Sequence, residues 1–478
     1  MSKFLREKRK LLGVCLLATP LLAQQASPVQ QSIQEALSPN ALQGSVSPEK
    51  ATGGVISLSL KDAMQHALRY NLALIQTNTG NQQIRAEQLR QLAKLLPDIN
   101  ASIGETVQQV NLAALGLPVG KIQIPGLSPI VGPFVVFEAQ TTLSQTVFDR
   151  NMMQKYRSAR ENTRASLQGL RNTRELVVLS TGNAYLQVTA ALSRVEAAQA
   201  EVTTAQALYQ RAVDQQSAGV SPQIDTLRAK VQLQTRQQQL IAAQNDYEKS
   251  KLVLARTIGL PLDQQYDISD RVPYQALPEV DLETELERAY QRRADYLQAE
   301  AQVRAAELNK NAADAERYPS LAINGFYGDQ GLNSPATSHG VFTVGAGLQI
   351  PIFQGGKIRA DIQTAEAEVQ QARATRDDLR SRIEYEVRNA FLDMNSAAKQ
   401  VEVAQTNLQL ANETLTQAQD RFSAGVADNL EVVQAQDSVA AANESLISAV
   451  YQHNLAKVFL ARSVGVAEQA VEQYLKGK

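Results

Sequence analysis

The chain carries the same plan twice. Leu254-Ala255-Arg256-Thr257-Ile258-Gly259 returns 206 residues later as Leu460-Ala461-Arg462-Ser463-Val464-Gly465. The same offset pairs Asn183-Ala184-Tyr185-Leu186 with Asn389-Ala390-Phe391-Leu392, and Ser217-Ala218-Gly219-Val220 with Ser423-Ala424-Gly425-Val426. Nearer the start of each copy the offset is 222, pairing Leu96-Pro97-Asp98 with Tyr318-Pro319-Ser320. The first copy therefore has extra residues between Pro97 and Phe148, which fall in its Gly/Pro-rich loop. A repeat this long constrains the fold strongly, because whatever one half builds the other must build again.

Each copy predicts a helix (60–96, then 282–318) that stops at Pro97 or Pro319. A strand, a loop and a second strand follow, within 98–148 and 320–353. A very long helix comes next, Asn151 to Ala218 and Lys357 to Ala424. A Gly turn then leads to a returning helix, Pro222 to Ile258 and Asp428 to Val464. Sixty-eight helical residues extend about 100 Å and the shorter helices about 55 Å, so two short helices stacked end to end match one long one. The two repeats occupy 58–259 and 282–465. Segment 260–281, with Pro261, Pro273 and Pro278, is expected to form a belt at mid-height, which the ends 24–57 and 466–478 could join.

The long helices carry a seam with a seven-residue period. Ala184, Ala191, Ala198, Ala205 and Ala212 alternate with Val188, Val195, Val202 and Tyr209. The second copy repeats this with Ala390, Ala397, Ala404, Ala411 and Ala418, interleaved with Met394, Val401, Leu408 and Leu415. Ala at one seam position lets backbones approach closely. An ordinary coiled coil would show the same period.

The strands separate the alternatives. Ile99, Ala101, Ile103 and Val107 alternate with polar residues, as do Phe137, Ala139, Thr141, Leu143 and Val147. In the second copy Leu321, Ile323 and Tyr327 face away from Ser320 and Asn324, and Phe342, Val344, Ala346, Leu348, Ile350 and Ile352 form the last set. Such segments of about ten residues mark membrane-barrel strands. Four strands cannot close a barrel around a channel, and an open edge in lipid leaves backbone groups unpaired. Several chains must share one barrel. Two would supply eight strands, which side chains largely fill, and three would supply twelve, which could leave a lumen.

The beginning of the chain reads as a secretory signal over 1–23. Lys3, Arg6, Lys8, Arg9 and Lys10 precede an apolar run from Leu11 to Leu22 and a small residue, Ala23. Twelve helical residues span about 18 Å, short of a hydrocarbon core of about 30 Å. Cys15, the only cysteine, has Val14 before it and lies within the run, which argues against lipid attachment; a processed chain would hold no thiol. Processing removes five basic residues and one acidic, taking the formal charge from −1 to −5, which discourages nucleic-acid binding. Beyond the signal no apolar stretch approaches 18 residues, leaving a β-barrel as the route into a membrane.

With Pro351-Ile352-Phe353-Gln354-Gly355-Gly356 leading into a long helix, and Ser-Ala-Gly-Val followed by an acid six residues after the Gly, the duplicated plan resembles the TolC-type outer-membrane efflux family over nearly the whole processed chain. The resemblance implies an α+β fold. Duplicated long-helix hairpins would form a trimeric periplasmic α-barrel, and four strands per chain would enter a shared transmembrane β-barrel. It also implies a passive exit duct in the outer membrane, partnered by a periplasmic adaptor and an inner-membrane pump, with no enzymatic activity and no cofactor. The competing expectation is a soluble periplasmic coiled-coil scaffold, which explains the heptads and Gly turns but not the strands.

Gly219 and Gly425 stand where long helices reverse, as left-handed glycines do. By resemblance these turns form the periplasmic tip, which makes Gly219, Val220, Ser221, Gly425, Val426 and Ala427 candidates for adaptor contact. Asp225 and Glu431 each fall six residues after the turn glycine. Carboxylates there complement a helix dipole, and by resemblance they also narrow and charge a pore. Asp428 is a third pore candidate, although with Glu431 it has capping-box spacing. Phe422 and Ala427 replace a Tyr and an Arg of the best-known family pattern. His66, His339 and His453 show no ligand spacing. Asp361, Glu366 and Glu368 read as a solvated helix face.

Overall fold

The computed structural model describes residues 40–47, 50–112, 114, 130–276, 281–333, 335–427 and 429–476. The expected signal segment lies outside them. Each repeat begins with two short helices where the sequence predicts one. In the first, strand β1 (Ile56–Leu58) leads into α1 (Leu60–Tyr70) and α2 (Leu72–Ala93). In the second, the equivalent pair is α5 (Leu282–Arg292) and α6 (Ala294–Ala315). The breaks fall at Asn71 and Arg293, both with extended backbone (ψ 133° and 119°). No Pro or Gly marks either site, because the cause is tertiary.

The strands and long helices follow the expected order. In the first repeat these are β2 (Asp98–Asn111), β3 (Ile130–Phe148), α3 (Arg150–Ser217) and α4 (Gln223–Ile258), followed by β4 (Tyr266–Ile268). In the second they are β5 (Ser320–Leu332), β6 (His339–Gln349), α7 (Lys357–Ser423) and α8 (Asn429–Ser463), with α9 (Ala467–Lys476) closing the chain.

Each returning helix ends in a left-handed glycine, Gly259 at φ +85° and Gly465 at φ +78°, and that glycine packs against the break of its own repeat. A Cβ on Gly259 would lie 2.5 Å from the Tyr70 Cβ, and one on Gly465 would lie 3.0 Å from the Arg293 Cα. Asn71 Nδ2 donates to the Thr257 carbonyl, and an Arg293 guanidinium nitrogen donates to the Ser463 carbonyl, both at 3.4 Å. Thr257 and Ser463 are equivalent positions two residues before each glycine. The joint is thus built twice with different chemistry. Asn71 also caps α2, accepting from the Ala73 N–H at 3.0 Å. Arg293, buried, forms ion pairs with Asp295 at 2.6 Å and Glu386 at 2.5 Å.

The four long strands form one antiparallel sheet in the order β2-β3-β5-β6. Its register aligns the apolar sets. Ile99 faces Leu143 and Ile103 faces Ala139; Leu321 faces Leu348 and Tyr327 faces Phe342. A bulge between Thr146 and Phe148 sets Phe148 opposite Leu321 and so moves it onto the apolar face. That face lies open: Ile103 is 80% exposed, Phe342 76% and Val344 74%. The opposite face holds polar pairs, including Ser144 Oγ to Asn324 Oδ1 at 2.9 Å and Gln330 Nε2 to Glu138 Oε1 at 2.9 Å. Near one end this polar face gives way to Phe134, Val136 and Leu332, with Val136 opposite Leu332.

The helices pack in one layer with a different order at each height. Toward the sheet α3 lies between α2 and α6, and α7 follows α6; away from it α3 lies between α4 and α8, and α7 follows α8. The seam behaves as its period predicts, with Ala184, Val188, Ala191, Ala205 and Ala212 buried, and Ala390, Met394, Ala397, Val401, Ala404 and Ala418 likewise. At mid-height the largest core gathers the centre of α3 (Val177 to Val188), the end of α8, α1, Leu42 from the segment before β1, and Tyr266 and Val272 from the belt. β1 pairs in parallel with β4, and α9 buries Ala467, Val471 and Leu475 there. Tyr185, fully buried, donates to the Asp270 carbonyl at 3.1 Å, tying the belt to α3. Among the described residues no helix is long and apolar enough to cross a membrane.

Candidate pore tip

The two turns farthest from the sheet are built alike. After α3 the Gly219 N–H donates to the Gln216 carbonyl at 3.0 Å and the Val220 N–H to the Gln215 carbonyl at 2.9 Å. After α7 the Gly425 N–H donates to Phe422 at 3.1 Å and the Val426 N–H to Arg421 at 3.0 Å. Both are Schellman closures, and both glycines sit at φ +72°. A Cβ at either would meet nothing within 4 Å, so backbone conformation alone accounts for the glycine. Val220 and Val426 are prominently exposed, Ser221 and Ala427 half-buried. Asp428 lies outside the described residues.

The matched acids are held differently. Asp225 accepts from Ser221 Oγ at 2.9 Å and lies 3.6 Å from Arg228, one turn along α4. Glu431 instead pairs across its hairpin with Arg421 at 3.1 Å. The 206-residue offset places Gln215 where Arg421 stands, so this strap exists in one repeat only. The two tips meet where buried Asn429 donates from Nδ2 to the Asp225 carbonyl at 3.1 Å. Phe422 is buried in a small core with Leu208, Ala418, Val432 and Ala435. Arg421 and Asn429 escaped the sequence reasoning. Comparison of the repeats could have flagged Arg421, while nothing local marks Asn429, whose partner is on the other hairpin.

The histidines are dispersed on α1, β6 and α8, with His453 buried against the Tyr274 ring. Glu366 pairs with Lys310 at 2.7 Å and Asp361 with Lys357 at 2.7 Å, as a solvated face would.

The family model described as outer membrane efflux protein matches residues 63–260 and 286–466. The chain belongs to the outer membrane efflux protein family. It is 27% identical over 403 residues to the pyoverdine export outer membrane protein OpmQ of Pseudomonas aeruginosa, covering 81% of this chain and 80% of that protein. It is 25% identical over 470 residues to the outer membrane protein OprJ of the same organism, covering 95% and 93%. The Campylobacter jejuni CmeC outer membrane channel superposes with a TM-score of 0.72 at 18% identity, covering 92% of this chain and 94% of that one. The sheet with its open apolar face is therefore the outer-membrane part of an efflux or secretion channel, and the helices are its periplasmic extension. Members of this outer membrane efflux protein family are transporters without enzymatic chemistry.

Proposed function

We propose that three copies of this chain form one exit duct, which receives substrate from an inner-membrane pump through a periplasmic adaptor docked on the Gly219 and Gly425 turns. The observation that carries this reading is the four-stranded sheet with an exposed apolar face, in which the outer strands β2 and β6 pair with no further strand among the described residues. Edges in lipid must be paired, and twelve strands are the smallest multiple that leaves a lumen. Light scattering of the detergent-solubilised protein is expected to give a homotrimer mass, and a stable monomer would remove the shared barrel. At the tip, Cys placed at Val220 or Val426 is expected to crosslink to an adaptor hairpin. Efficient capture from positions between β2 and β3 instead would invert the orientation.

Asp225 and Glu431 are the proposed constriction, with Asp428 a third candidate. If both helix faces point inward, three copies of the first two bring six carboxylates to one narrow end, each beside an arginine (Arg228 or Arg421), and carboxylates turned to the lumen attract cations and raise the barrier for anions. The competing role is helix-dipole stabilisation, which predicts altered stability with unaltered ion preference. Reversal potentials in a salt gradient across a planar bilayer distinguish them. The Asp225→Asn/Glu431→Gln double variant is expected to lose cation preference. A folded variant that keeps it would return both residues to a capping role.

A further inference from the structure

The segment between β6 and α7, Pro351 to Gly356, joins the sheet to the long helix, and among the described residues it carries the most exposed apolar side chains. Ile352 is 95% exposed and Phe353 89%. Gly355 and Gly356, at φ +60° and +89°, turn the backbone into α7, and a Cβ on either would meet nothing within 4 Å. The dipeptide therefore projects from a corner instead of folding back.

Its height follows from the strand. β6 spans eleven residues, His339–Gln349. Ten steps of about 3.3 Å, tilted by about 40°, cover about 25 Å, the height of an outer-membrane apolar band. A strand that fills the band leaves the residues just past its end, from Ile350 on, at the periplasmic edge. Ile350 continues the exposed apolar row of Phe342, Val344 and Leu348. The first repeat has Val147-Phe148 at its own strand-to-helix corner, half exposed, with Phe148 turned to the lipid-facing side.

We infer that Ile352 and Phe353 form an interfacial anchor that inserts at the headgroup–acyl boundary of the periplasmic leaflet and sets the depth of the channel in the outer membrane. The occupant is lipid because the segment continues the membrane-facing row of β6, and an aromatic ring at that level suits the boundary between water and hydrocarbon.

The chain contains no Trp, so one introduced indole reports alone. Phe353→Trp, Ile103→Trp in mid-barrel and Leu410→Trp on the periplasmic part of α7 would each be reconstituted into vesicles of phosphatidylcholine brominated either near the headgroup or deep in the chain. Phe353→Trp is expected to lose more emission to shallow bromines than to deep ones. Ile103→Trp should show the reverse order and Leu410→Trp no loss. Blue-shifted but unquenched emission from Phe353→Trp would mean that a second copy covers the site; red-shifted, unquenched emission would mean water. Either result overturns the anchor while Ile103→Trp still responds. If Ile103→Trp were also unquenched, the barrel placement itself would fall, and the anchor with it.

Discussion

Replacing Arg293 by Ala is expected to lower the stability of the folded chain by about 3 kcal/mol, because it removes the main partner of two half-buried carboxylates, Asp295 and Glu386. Arg293 is 1% exposed and holds Asp295 and Glu386 at once. Burial alone would raise the Asp295 carboxyl, but hydrogen bonds and charge from Arg293, helped by Arg462, more than offset that and hold it at about 2. A carboxyl depressed in this way contributes stability that is fully present above its unfolded value near 4 and fades as pH falls toward 2. The deficit of Arg293→Ala should therefore be largest at neutral pH and shrink in acid. Thermal unfolding of the detergent-solubilised protein at pH 7 and pH 3 reads both effects. The repeat also supplies a rescue. Asn71, Ala73 and Ser180 occupy the positions equivalent to Arg293, Asp295 and Glu386. The triple variant Arg293→Asn/Asp295→Ala/Glu386→Ser transplants the neutral joint and should recover most of the loss. A triple variant no more stable than Arg293→Ala would show that the ion network does more than satisfy its own members.

The second large effect tests the faces of the sheet. Ile103→Arg sets a charge on the apolar side near the middle of β2 and is expected to cost about 2–4 kcal/mol in a bilayer. Ser102→Arg, one residue away on the polar side, should cost little, since successive strand residues point to opposite faces. Urea titration of the protein in lipid vesicles compares them. Equal costs would mean that the two faces meet similar surroundings, which a membrane barrel does not allow.

Much of this architecture was legible in the residues because it rests on local pattern. The heptad seam, the alternating strands and the turn glycines each follow from a period or a backbone requirement, and the internal offsets confirmed each feature twice. The helix breaks were not legible. Asn71 is a good cap residue, but Arg293 is an ordinary helix former, and the feature that accompanies its break, Gly465 packed against it, comes from 172 residues away. At the tip the same division holds. Gly219 and Gly425 announce themselves, whereas the hold on Glu431 comes from Arg421 across the turn, and the bridge from Asn429 crosses between repeats. The bulge at Val147 was hidden for a similar reason, since strand register depends on the neighbour.

The joints carry one more implication. Gly259 closes on Tyr70 and Gly465 on Arg293, so each repeat locks its own break with its own last helix. The strands follow suit, with β2 paired to β3 and β5 to β6, and the two hairpins joined where β3 meets β5. Each repeat thus closes its own joint and its own hairpin, while α3 packs against α6 and α8 of the other repeat. The two halves hold one joint in two chemistries, neutral at Asn71 and ionic at Arg293.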